Sequence, residues 1–140
     1  MPLLTRYFIK ASFIYFALAL SMGLLQTFSK LSWELPPILS MLAPTYFHVF
    51  LFGWVTQLIF GVVYWMFPKY TKEKPRGYES LWQMTFICLN IGLVMRIIAE
   101  PIHAIYPHIV WGWLLLISAM LQWIAGMGFI VNTWIRVKER

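Results

Sequence analysis

Cysteine is nearly absent from this sequence: Cys88 stands alone, which excludes an intrachain disulfide and any site built from several thiolates, and leaves the redox compartment open. Aspartate is absent altogether, and charged residues make up only 11% of the chain. No Ser-His-acid set and no glycine-rich phosphate loop can be assembled from what remains, so the familiar hydrolytic and nucleotide-binding chemistries have no residues to work with. Cys88 itself reads as a small packing residue.

What is present is apolar. Hydrophobic residues account for 61% of the 140 positions and aromatics for 19%, outside the range of ordinary soluble domains and typical of a membrane protein. Four apolar segments, 7–28, 45–67, 80–99 and 107–132, are each long enough to cross a bilayer as a helix. Pro36, Pro37 and Pro44 break the chain before the second segment and Pro68 ends it. The expected fold is all-α, a single integral membrane four-helix bundle over residues 1–140. Ala17 and Ala19 match the small-x-small pattern of a signal-peptide cleavage site, but the apolar run continues through Leu25, so a retained first helix is expected.

The basic residues explain their own number. Four crossings place both termini and the 69–79 loop on one side, which collects Arg6, Lys10, Lys69, Lys72, Lys74, Arg76, Arg136, Lys138 and Arg140 against Glu73, Glu79 and Glu139. Lys30 and Arg96 balance Glu34 and Glu100 on the other side. The whole net charge of +6 thus falls on one face, which the positive-inside rule makes cytoplasmic. Both termini are expected in the cytoplasm, the protein in the inner membrane as a multi-pass chain, and its main partner is the lipid bilayer; nucleic acid is not expected.

All three histidines fall near the opposite, outer face: His48 early in the second helix, His103 in the outer turn, His108 at the start of the fourth helix. At about 100° per residue, His108 aligns with Gly112, Leu115, Ala119, Gln122 and Gly126, a small-and-polar stripe of the kind that meets neighbouring helices. Gly53, Gln57, Gly61 and Tyr64 form a similar stripe on the second helix, with His48 more than 90° from its centre. His48 and His108 could hold one object between them, or His48 could face a second chain; the sequence leaves both open. Imidazole is a common ligand of haem iron and of transition metals, and two histidines on different helices suit a low-spin haem b. Arg96, at the histidines' level, could pair a haem propionate, or pair Glu100 one turn on. Each histidine also has a plain reading, His48 as a hydrogen-bonded interfacial residue and His103 as a solvated turn residue.

The stretch "HVFLFGWVTQLIFGVVYWMFP", with His48, Gly53, Gly61, Tyr64 and Pro68, resembles the second transmembrane helix of the haem–copper oxidase superfamily's catalytic subunit, closest to the C-type oxidases and nitric oxide reductases. "LWQMTFICLNIGLVMRIIAEP" resembles the segment that follows, so the likeness covers residues 5–100, the first helix being compatible but uninformative. The resemblance implies that His48 is an axial ligand of a low-spin haem. That family's copper ligands, active-site haem ligand and second low-spin ligand lie in helices without a counterpart in this chain, so oxygen or nitric oxide reduction by this chain alone is not implied. The second ligand is then His108, less readily His103, or comes from another protomer or subunit. The expected function is haem b binding by His48 and His108, with Arg96 beside them, for one-electron transfer in or beside a respiratory complex, with quinol or cytochrome c as redox partner. The alternatives are a haem-free accessory or assembly subunit and, more weakly, a copper site of His48, His103 and His108.

Overall fold

The structure is a computed structural model that describes residues 1–29 and 36–137. Lys30, Glu34 and residues 138–140, which enter the charge balance above, lie outside the described residues. Among the described residues there is no strand, and four helical stretches are long and apolar enough to cross a membrane: Leu3–Phe28, Ala43–Met66, Glu79–Ile105 and Ile109–Trp134. We call them the first to fourth spans. The elements are α1 (Leu3–Ser29), the short α2 (Pro37–Ser40), α3 (Ala43–His48), a π-helical segment (Val49–Thr56), α4 (Gln57–Met66), α5 (Glu79–Ile105) and α6 (Ile109–Trp134).

The first span is apolar all round, yet it buries a narrow seam. Thr5, Phe8, Ser12, Tyr15, Ala19 and Met22 are its buried residues, alternating three and four apart as in a coiled coil. The seam meets the glycine stripe of the second span. A Cβ on Gly53 would lie 2.7 Å from Cγ of Tyr15, and one on Gly61 would lie 2.8 Å from Cβ of Phe8. The two glycines are the sockets into which these aromatic side chains fit, so the stripe read from the sequence is a contact face.

The third and fourth spans form the other tight pair. Ser118 donates its hydroxyl to the Gly92 carbonyl at 2.6 Å, and the buried residues of α6 run Ser118, Gln122, Ala125, Gly128, Asn132 and Thr133. This corrects the expected stripe. Gln122 is buried as expected, but Ala119 is exposed and Gly112 and Gly126 face open space. Packing follows the face that carries Ser118, which bonds to Gly92 and Arg96 of α5, and the small stripe is rotated to the edge of the interface.

Two helix ends also differ from expectation. The third span runs on through Pro101, which is buried inside α5, and Tyr106 closes it by donating its N–H to Ile102. A proline removes one hydrogen bond of the ladder but does not stop a helix whose neighbours hold it. His103 consequently belongs to the last turn of α5 and not to a loop.

One end of the bundle collects the N-terminus, the connection after α4 and the end of α6. It is packed by rings, with Phe60 stacked on Phe129 at 3.9 Å and Trp82 edge-on to Phe8, Tyr64 and Phe129. Arg136, 1% exposed, reaches across to donate to the carbonyls of Tyr64, Phe67 and Pro68. These are the carbonyls left bare where Pro68 stops the second span, and the guanidinium caps them with a complementary charge. The histidines occupy the opposite end.

Candidate functional site

His48 closes α3 and immediately precedes the π-helical segment. Such segments are rare and concentrate at functional sites. Their i→i+5 turns take more residues than an α-turn, so each residue advances by less than 100°. Over Val49–Thr56 the shortfall swings His48 round relative to Gln57, which a uniform α-helix would set on the far side. His48 therefore meets α5 instead of pointing away from the bundle.

What it meets is Glu100. Nδ1 of His48 lies 2.9 Å from the Pro44 carbonyl and 3.4 Å from Oε2 of Glu100. The shorter contact has hydrogen-bond geometry and takes the Nδ1 proton; the longer one is an electrostatic neighbour, and Oε2 of Glu100 is left without a hydrogen bond. The carboxylate is balanced one turn below, where Nη1 of Arg96 stands 3.4 Å from Oε1. Arg96 also donates Nε to Ser118 at 3.3 Å and Nη2 to the Leu115 carbonyl at 3.5 Å, and Gln122 donates to Ser118 at 3.2 Å. The side chains of Arg96 and Glu100 are 14% and 15% exposed. A charge pair within an apolar span is costly unless matched, which makes these residues candidates for a functional position.

Beside this network lies an open-sided groove of about 450 Å³, within the size of ligand sites. His48, Phe52 and Arg96 form one wall, and Gln122, Trp123 and Gly126 are on the α6 side. In the neutral imidazole, the bond to the Pro44 carbonyl places the proton on Nδ1 and the lone pair on the other ring nitrogen. Among the described residues, no hydrogen bond occupies that nitrogen.

His108 is not in this groove. It is the N-cap of α6, where its Nδ1 accepts from the N–H of Val110 at 3.3 Å, and it stands about 16 Å along the helix from Ala119 at the groove's near end. His103 lies in α5 with Nδ1 buried and unpartnered. Among the described residues no three of His, Cys, Asp and Glu form a metal-binding group, so the structure does not assemble the three-histidine copper arrangement. The structure thus brings together His48 and Arg96, through Glu100, and leaves His108 apart. Glu100 as partner of His48, and Ser118 as the anchor of Arg96, went unread in the sequence. The only signal was the i,i+4 spacing of Arg96 and Glu100, which gave their pairing but not the histidine that joins it.

Compared with known protein families, with curated proteins and with solved structures, the chain matches none.

Proposed function

We propose that the protein binds one haem b in the membrane, through His48, and serves one-electron transfer in or beside a respiratory complex. The observation that carries this reading is the state of His48. Ligating histidines almost always donate their other ring N–H to a carbonyl or carboxylate, which fixes ring and tautomer and raises basicity. His48 bonds the Pro44 carbonyl through Nδ1, has Glu100 as a charged neighbour, and lines a groove. A haem held there supplies an iron that passes one electron at a time. The chain's part is to present the imidazole, to hold a matched charge beside it, and to wall the groove with Phe52 and Trp123.

The fit is one-sided. His48 would supply one imidazole to the haem, and the groove residues offer no second one. His108 lies outside the groove, so in this reading the second ligand comes from a neighbouring chain, His108 of a second copy included. Arg96 can turn from Glu100 to a propionate only by giving up a matched pair, which makes it a weaker contact than His48.

A second reading rests on the same network. Arg96 is paired with Glu100 and His48 with the Pro44 carbonyl, so the network is largely matched without a cofactor, as it would be in a haem-free accessory subunit of a respiratory complex. Colour separates the two. Protein purified from haem-replete cells should show a Soret band, with sharp α and β bands on reduction. His48→Ala should abolish the low-spin spectrum, while His103→Ala should leave it intact. A colourless protein supports the accessory role, and an unaltered spectrum in His48→Ala ends the ligand assignment.

A further inference from the structure

A second pocket, of about 480 Å³, opens at the opposite end of the bundle, between the first turns of α1 and α5 and the end of α4. Its lining is largely apolar and partly aromatic, with Leu3, Tyr7 and Phe86 among it and the two rings 6.3 Å apart. Its rim is charged. Arg76 and Glu79 face each other at 3.7 Å, their side chains 34% and 65% exposed. Tyr64, a residue 3% exposed, donates its hydroxyl to Oε1 of Glu79 at 3.4 Å, and the Arg76 guanidinium sits 5.4 Å from the centre of the Tyr64 ring. A cation and an anion are therefore held side by side, at the ends of two spans, above an apolar slot.

We propose that this pocket binds a phospholipid whose headgroup is a zwitterion with a primary amine. The phosphodiester would sit on Arg76, whose planar fork of donors suits phosphate oxygens. The ammonium would sit on Glu79, and an acyl chain would lie over Leu3, Tyr7 and Phe86. Three features select this occupant. The rim lies where the second span ends and the third begins, which in a bilayer would be the depth of lipid headgroups. Glu79 repels a headgroup that carries net negative charge, so the basic surface around it does not make an anionic lipid the better fit. A quaternary amine has no N–H to give Glu79, whereas a primary ammonium has three, as in a lysine side chain. A bound lipid of this kind would tie the start of α1 to the start of α5.

The site is remote from the His48 groove and does not depend on haem. The test is lipid retention by the full-length protein in detergent, read by native mass spectrometry after equilibration with equimolar phosphatidylethanolamine, phosphatidylcholine and phosphatidylglycerol of identical acyl chains. Because the rim is partly exposed, each charge contact is modest, and the ethanolamine lipid should be retained about two- to fivefold over the other two. Glu79→Gln should erase the preference over phosphatidylcholine while phospholipid is still bound. Arg76→Gln should reduce retention of all three. Equal retention of the three lipids overturns the proposal, as does a preference for phosphatidylglycerol or an ethanolamine preference that survives Glu79→Gln. His48→Ala should keep the lipid preference whatever it does to the spectrum, so the two readings fail separately.

Discussion

At the scale of single residues, the charges decide more than their number suggests. Arg136 counts in the sequence as one more basic residue of a cytoplasmic tail. In the structure it is buried, and burial lowers its guanidinium pKa from an ordinary value so high that the group stays charged at any physiological pH. Three carbonyls at the end of the second span depend on it. Arg136→Ala should destabilise the bundle by about 2–3 kcal/mol, the scale of a charged hydrogen-bond donor withdrawn from buried acceptors, measured as thermal unfolding in detergent. Gly53 and Gly61 make the complementary case, in which having no side chain is the contribution. Leucine at either position would have to displace Tyr15 or Phe8 from the seam. Each replacement should cost about 1–3 kcal/mol by overpacking, and unchanged unfolding temperatures in both would show that the first two spans do not meet through these glycines.

At the scale of elements, the second span is three segments of two conformations, α, π and α, and its middle determines where its first turns point. If the π-helical segment is what brings His48 to Glu100, removing one residue from it should allow regular α-turns and rotate His48 off the network, with α4 and its contacts kept. Deletion of Leu51, which is exposed, is the direct test. The expected result is retained helicity by circular dichroism with loss of the haem spectrum, and a deletion variant that keeps full haem occupancy would show that the segment does not set the histidine's position. The fourth span teaches a related lesson. Its small residues were legible as a packing stripe, but Ser118 and its bond to Gly92 chose a neighbouring face, because a buried hydroxyl needs a partner and a glycine does not.

At the scale of the whole molecule, the end that gathers the N-terminus, the connection after α4 and the last turn of α6 is also the basic end. The described residues there include Arg6, Lys10, Lys69, Lys72, Lys74, Arg76 and Arg136. By the positive-inside rule we propose that this end is cytoplasmic and the histidine end outer. Reporter fusions should place position 137 in the cytoplasm and the short connection at 106–108 on the other side. An outward-facing C-terminus would invert the proposed placement of the haem and move the phospholipid rim to the outer leaflet.

The number of spans, their approximate limits and the basic asymmetry between the two ends could be read from the sequence alone, because each depends on local composition: apolar length, proline breaks and the side on which lysine and arginine fall. The glycine sockets were legible for a similar reason, since a small-residue stripe marks close approach whichever helix approaches. Which residue stands beside His48 was not legible. That depended on a change of helical period inside the second span and on two other spans delivering Glu100, Arg96 and Ser118 to the same level. The helix through Pro101 and the buried Arg136 belong to the same class, since a missing hydrogen bond and a desolvated cation are tolerated only once neighbouring segments supply the compensating contacts. Periodicity along one helix gives the faces it offers, and only packing against the others decides which face is used.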